Sequence, residues 1–287
     1  MCAQENSSRC SRIPKWLRIR LPESNVFART RALLKDLGLH TVCQSARCPN
    51  IFECFSRGVA TFLVLGNSCT RACAFCNIGP GRPAPLDPDE PARVAEAAKR
   101  LQLKHVVVTS VTRDDLPDGG AAHFASVVQS IRLALPDAGV ELLIPDFQGS
   151  ERALRTVMDA GPDIINHNVE TVPELYPRIR PQADYARSLD LVRRVHAAGL
   201  RSKSGLMLGL GETEAGVLRV IDDLAEAGCD IVTIGQYMRP SLRHPQVARY
   251  VEPEGFEALA AYGRARGIPA MYCAPLVRSS YHAARFA

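Results

Sequence analysis

TFLVLGNSCTRACAFC, residues Thr61–Cys76, joins an apolar, β-prone run to a cysteine-bearing loop. Thr61–Leu65 reads as a strand, and only Gly66-Asn67-Ser68 separates it from Cys69. Cys69, Cys73 and Cys76 are thereby delivered to the C-terminal edge of a sheet, where parallel α/β folds keep their chemistry. The usual occupants of that turn, a G-x-G-x-x-G fingerprint or a P-loop, are absent. A metal-bearing loop takes their place.

Outward from this run, strands are expected at Thr61–Leu65, His105–Val111, Val140–Ile144, Asp163–Val169, Ser202–Leu208 and Asp230–Gln236. Helical patterns fall between them, near Pro88–Leu103, Ala121–Leu135, Glu151–Ala160, Arg187–Ala198 and Glu214–Ala227. Asp87-Pro88-Asp89-Glu90 offers an N-cap, a proline at N1 and a glutamate at N3. Gly199 and Gly228 sit where a left-handed C′ residue ends a helix. Strict alternation implies parallel pairing and right-handed crossovers. A doubly wound sheet and a barrel both satisfy it.

Six of the chain's 10 cysteines lie between Cys43 and Cys76. An even spread would put only about one in such a window, so the clustering needs a chemical reason. Cys43, Cys48 and Cys54 read C-x4-C-x5-C, whereas Cys69, Cys73 and Cys76 read C-x3-C-x2-C. Gathered thiolates hold soft metal centres, and two triplets imply two centres. Structural zinc and ferredoxin-type clusters each need four protein ligands, so each triplet is one short. A cubane held by three thiolates leaves one iron open, which is what a catalyst uses.

At 46% hydrophobic and 23% charged, the 287-residue chain has the composition of an ordinary globular enzyme, far longer than disulfide-scaffold domains. No run approaches the length of a membrane span, and the start lacks the apolar stretch of a secretory signal. That start is basic and contains serines, as transit peptides do, but it is short and carries Glu5; the cytoplasm is the expected compartment. The net charge of +5 is dispersed, so neither a nucleic-acid surface nor a membrane partner is expected.

Cys69-Thr70-Arg71-Ala72-Cys73-Ala74-Phe75-Cys76 resembles the C-x3-C-x-aromatic-C signature of radical S-adenosylmethionine (SAM) enzymes. With His40–Cys54, RDDLPDGG (Arg113–Gly120), VELLIPDF (Val140–Phe147), HNVETV (His167–Val172), GLMLGLGET (Gly205–Thr213) and APLVRSSYHA (Ala274–Ala283), the chain closely resembles the lipoyl synthase family. The resemblance runs from about Pro14 to Ala284, with no departure at a diagnostic position.

That resemblance implies a partial (β/α)6 TIM-type barrel of the radical SAM type, within an α/β fold. Residues 59–237 would form the barrel, with an N-terminal extension at 1–58 and a C-terminal extension at 238–287. It implies two 4Fe-4S clusters and SAM as cofactors. The cluster on Cys69, Cys73 and Cys76 binds the amino and carboxylate groups of SAM and generates 5′-deoxyadenosyl radicals. Two sulfur atoms are then inserted at C6 and C8 of a protein-bound octanoyl-lysine chain, consuming two SAM molecules. The sulfur comes from a sacrificial auxiliary cluster on Cys43, Cys48 and Cys54, with a serine of the RSSY motif as fourth ligand. Motif position selects Ser280 over Ser279, giving Ser280 the catalytic and metal-ligand role, within bonding reach of the first triplet. The implied partners are octanoylated lipoyl carrier domains (glycine cleavage H protein or the E2 component of 2-oxoacid dehydrogenases). A ferredoxin- or flavodoxin-type reductant and an iron–sulfur carrier for cluster repair complete the set.

Phe75 is expected against adenine, the alternative being simple packing in the loop, and Asn168 and Glu170 either hold the SAM ribose or amino group or make ordinary strand-end hydrogen bonds. Gly209 and Gly211 would let the backbone approach SAM, or simply form a tight turn. Arg178 and Arg180 read by default as solvated, the alternative being contact with the SAM carboxylate or the carrier domain, and His167 and His282 read as hydrogen-bonded structural residues. Gly119 and Gly120 read as a helix start. Cys229 and Cys273 read as buried apolar residues, and Cys2 and Cys10 as part of a tail. Two other classes compete: a different radical SAM sulfur-inserting or methylthiolating enzyme, and a non-catalytic iron–sulfur carrier or zinc module.

Overall fold

The strands form in the order in which the chain presents them. The computed structural model describes residues 13–19 and 25–286, so Cys2, Cys10 and most of the basic start lie outside the described residues. The elements are α1 (Asn25–Asp36), β1 (His40–Thr41), α2 (Val42–Ser45), α3 (Ile51–Ser56), β2 (Thr61–Val64), α4 (Glu90–Arg100), β3 (His105–Ser110), α5 (Ala121–Ala134) and β4 (Gly139–Leu143). They continue with α6 (Glu151–Asp159), β5 (Ile164–Asn166), α7 (Tyr176–Ile179), α8 (Tyr185–Ala197), β6 (Arg201–Leu208), α9 (Glu214–Glu226), β7 (Ile231–Gln236), α10 (Pro253–Ala265) and β8 (Ala270–Cys273).

One sheet holds all eight strands, in the order β1 to β8. β1 is antiparallel to β2, through His40↔Leu63, and every later pair is parallel. A doubly wound sheet reverses its strand order at a switch point. This one never reverses and its two ends do not pair, so it is an open barrel wall. The expected six-stranded parallel core is β2–β7. The segments outside it extend both edges, with β1 before and β8 after.

Helices pack outside the sheet on Val94, Phe124, Ile131, Val157 and Leu191, all buried, and on Val217, Ile221 and Phe256. Local caps fix the helix starts. The side chains of Ser150, Asp184 and Thr213 accept from Ala153, Arg187 and Gly216 backbone N–H groups. Gly199 and Gly228 both take φ +74, and Gly120, at φ +91, is the N-cap of α5.

The cap expected at Asp87 forms differently. α4 starts at Glu90, and Asp87 instead accepts from the Asp89 backbone N–H at 3.0 Å in a turn ahead of it. Glu90 points inward, where its Oε2 accepts from Leu65 N at 2.9 Å and meets His123 Nε2 at 2.7 Å. A glutamate that looked like helix capping thus fixes the chain where it leaves β2 for the cysteine loop. Inside the barrel wall Lys203 Nζ donates to Glu141 Oε1 and Oε2 at 2.8 and 3.0 Å, both side chains fully buried. Losing either partner would strand a buried charge.

Candidate active site

Past β2 the chain turns through Leu65 and Gly66, at φ +67 and +97, and enters the second cysteine loop. Cys69 N donates to Gly79 O and Gly81 N to Cys69 O, closing the loop on itself at 3.1 and 2.9 Å. The amides of Arg71 and Thr112 donate to Cys69 Sγ at 3.4 and 3.3 Å. Two further amides reach the opposite wall: Ala72 N to Gln182 Oε1 at 2.7 Å and Ala74 N to Ile179 O at 2.9 Å. Arg71 is buried, with Nε and Nη2 on the two oxygens of Asp114 at 2.7 and 3.0 Å. Its Nη2 also donates to Asp146 Oδ1 at 2.6 Å. Burial alone would raise the Asp146 carboxyl, but Arg71 outweighs it and holds the group at about 2.

The first triplet comes from two short helices. Thr41 caps α2, which carries Cys43; Cys48 N then donates to Cys43 O at 3.0 Å. Cys54 sits on α3, its amide bonded to Asn50 O at 2.9 Å. Burial, aided by the mutual charge of neighbouring thiols, pushes Cys43 up to about 11 and Cys54 up to about 12. Burial also raises Cys48 and Cys73, countered by the positive charges of Arg278 and Arg180. Cys76 rises to about 12 for the same reason. Loading a metal must therefore expel protons from these thiols.

A cavity of about 330 Å³ opens at the C-terminal ends of the strands. Cys43, Cys48, Cys69, Cys73, Cys76, Phe75, Asn168, Glu170, Ser279 and Ser280 line it; Cys54 does not, though it is near enough to Cys43 and Cys48 to feel their charges. Among the described residues, no three His, Cys, Asp or Glu side chains converge on the position of one ion.

Three clasps bind the surrounding segments in a cycle. Asn77 Nδ2 donates to Ser45 O at 2.7 Å, Arg47 Nη1 to Pro240 O at 3.2 Å, and His244 Nε2 meets Cys76 O at 3.1 Å.

On the far wall β5 ends at Asn166 rather than Val169. His167 N still donates to Lys203 O of β6 at 2.9 Å; the chain then leaves the ladder at Asn168 and Val169 and rejoins β6 at Glu170, which takes φ +65. Asn168 Nδ2 donates to Glu170 Oε1 at 3.1 Å and to Ser279 Oγ at 3.4 Å. Burial raises the Glu170 carboxyl against the pull of Arg180. Arg180 is buried rather than solvated, with Nη1 on Asn168 O at 2.9 Å and Val169 O at 3.1 Å. Arg178 is exposed, as expected, and its Nη2 donates to Leu210 O at 2.7 Å. Asn168 Oδ1 and Arg180 Nε are buried with no hydrogen-bond partner among the described residues. An orphan acceptor and an orphan donor on one wall fit a ligand carrying both an ammonium and a carboxylate, as SAM does.

Phe75 faces the cavity and packs on the Ile179, Leu210 and Tyr237 cluster. Gly209 and Gly211, at φ +104 and +109, form a turn beyond the lining stretch Gly205–Met207. Glu212 closes that turn by accepting from Gly209 N at 2.7 Å and Leu210 N at 2.9 Å. His167 is hydrogen-bonded to Ile144 O at 2.9 Å and Ser188 Oγ at 3.1 Å, as a structural histidine would be.

A family model described as the Radical SAM superfamily matches residues 63–224, and one for the N-terminal domain of lipoyl synthase matches residues 2–48. A lipoyl synthase of Oleidesulfovibrio alaskensis is 67% identical over 286 residues, covering 100% of this chain and 98% of that protein. One from Caldanaerobacter subterraneus is 56% identical over 274 residues, covering 95% of this chain and 96% of that protein. Among solved structures, Streptococcus suis SuiB bound to S-adenosylmethionine aligns with TM-score 0.59 and 10% identity, covering 80% of this chain and 54% of that one. HydG, a maturase of the [FeFe]-hydrogenase, aligns with TM-score 0.58 and 19% identity, covering 74% and 50%. These two likenesses speak for the fold alone. With full-length relatives at this identity and both models matched, the chain belongs to the lipoyl synthase family of radical SAM enzymes.

Proposed function

We propose that this chain inserts two sulfur atoms, at C6 and C8, into an octanoyl chain borne by a lysine of a lipoyl carrier domain. The observation that carries the reading is the cavity lined at once by Cys43 and Cys48 of the first triplet, all of the second triplet, and Arg278, Ser279 and Ser280 of the RSSY segment. When bound, the two clusters and SAM supply hydrogen-atom abstraction at each carbon and the sulfur that replaces each hydrogen.

The chain's own residues hold, orient and exclude water. Cys69, Cys73 and Cys76 would hold the cluster that meets SAM. Asn168, Glu170 and Arg180 offer the polar wall for its amino-acid end, and Phe75 an apolar face for adenine. Gly209 and Gly211 would shape the turn behind that wall. Cys43, Cys48, Cys54 and Ser280 would hold the auxiliary, sulfur-donating cluster. The choice of Ser280 is supported by Ser279, whose hydroxyl is engaged by Asn168 on the SAM side. Leu63, Val111, Leu143 and Met207 provide apolar wall that suits a saturated acyl chain.

The three-part division at residues 58 and 237 belongs to the same proposal: the extensions bring the auxiliary ligands to the barrel. So do glycine cleavage H protein or an E2 domain as carrier, a ferredoxin- or flavodoxin-type reductant, an iron–sulfur carrier for refilling, and a cytoplasmic setting. Among the described residues no helix is long and apolar enough to cross a membrane.

The test is an anaerobic incubation of loaded protein with an octanoylated carrier peptide, SAM and reductant, read by mass spectrometry. Mono-thiolated and then di-thiolated peptide are expected. SAM cleavage without sulfur in the peptide would refute the reading. Ser280→Cys should leave SAM cleavage intact and alter sulfur transfer; unchanged lipoyl formation would remove Ser280 from its role.

A further inference from the structure

Asn50 and Glu53 lie between the ligand cysteines Cys48 and Cys54, and both reach across to the C-terminal segment. Asn50 Nδ2 donates to Leu276 O at 2.7 Å, and Tyr281 Oη donates to Glu53 Oε2 at 2.9 Å. His282 Nε2 stands 3.3 Å from Glu53 Oε1. The two grips fall on either side of Arg278-Ser279-Ser280, so this stretch is strung between points fixed to the first triplet.

From these contacts we infer that Glu53 is the positioning residue for Ser280, holding it at the auxiliary site independently of the cluster. The inference rests on Ser280 being the fourth ligand there. Glu53 neighbours Cys54, so the carboxylate ties the serine segment directly to a ligand-bearing helix. His282 takes φ +55, a left-handed turn tolerated by few non-glycine residues, which brings its ring back toward the same carboxylate. Tyr281 and His282 rings meet edge-on at 4.1 Å, presenting one two-toothed surface to Glu53. The other partner of Glu53, Arg57 at 3.0 Å, is an exposed i,i+4 pair of little energetic weight and does not account for the arrangement. The consequence is functional. An auxiliary cluster consumed in turnover leaves no iron to hold the serine, and the Glu53 clamp keeps the emptied site in shape for refilling.

The test is hydrogen–deuterium exchange of residues 278–282 in the full-length, cluster-free chain, with spectroscopy of the auxiliary cluster in the loaded chain. Glu53→Ala should speed exchange there by about tenfold or more, the loss expected for hydrogen bonds to a charged group. Glu53→Gln, which keeps an acceptor for Tyr281, should restore most of the protection, and Tyr281→Phe should give an intermediate loss. The auxiliary-cluster spectrum of Glu53→Ala should move toward that of Ser280→Ala. Wild-type exchange in Glu53→Ala, or equal exchange in the Ala and Gln variants, would overturn the clamp while leaving the ligand role of Ser280 untouched. An unchanged auxiliary-cluster spectrum in Ser280→Ala would instead overturn the ligand reading, whatever the exchange shows.

Discussion

Arg71 stands between Cys69 and Cys73, and its guanidinium binds Asp114 and Asp146, so the cysteine loop is fixed from the ends of β3 and β4. A lysine carries the charge but not the planar fork. Arg71→Lys should therefore lower 5′-deoxyadenosine formation by about tenfold or more while leaving the auxiliary cysteines filled; iron analysis beside the nucleoside assay checks both. His167 makes a second residue-scale prediction. Burial first, then the charge of Arg180, lowers its pKa to about 4. A histidine depressed on folding takes up its proton more readily when unfolded, so stability falls as pH drops from about 6.5 toward 4. The full effect is about 3 kcal/mol. Urea midpoints at pH 7 and 5 should differ less in His167→Gln than in the parent; identical pH dependence would contradict the assignment. The cysteines were legible in the sequence because ligation demands one residue type at short spacing. Arg71 and Asp146 were not, since they lie 75 positions apart and meet only through the strand order.

At the scale of elements, β7 makes room for the C-terminal segment. A Cβ on Gly235 would fall inside van der Waals contact of the Val277 carbonyl, which belongs to backbone and has no rotamer to yield. Gly235→Ala should push residues 277–280 off the barrel edge. Iron should then fall from about eight per chain toward about four, with SAM cleavage retained. Retention of the full iron content would contradict this. The six core strands were readable because buried parallel strands announce themselves as apolar runs between helical patterns. β1 spans only His40–Thr41, too short for any period, and β8 (Ala270–Cys273) is a four-residue run. The early end of β5 was hidden too: Asn168 leaves the ladder for a side-chain bond to Glu170 and Ser279, which propensity does not encode.

For the molecule as a whole, function depends on closing the chain on itself. Asn50 meets Leu276 across 226 positions and Glu53 meets Tyr281 across 228. The resemblance anticipated this closure through Ser280, whereas the clamp residues and the cycle through Asn77, Arg47 and His244 emerge only from the fold. The family assignment sets aside the electron-carrier and zinc alternatives, and the cavity places cysteines of both triplets in reach of one substrate, as the proposed two-cluster chemistry requires. The account's central claim is that the sulfur entering the product comes from the protein's own iron–sulfur sites. The direct measurement is a single turnover of protein whose clusters were built with heavy-isotope sulfide, with unlabelled sulfide excluded and the carrier peptide weighed afterward. Both inserted sulfurs should be heavy, with product capped at about one lipoyl group per chain; light sulfur in the product, or sustained turnover without refilling, would contradict the account.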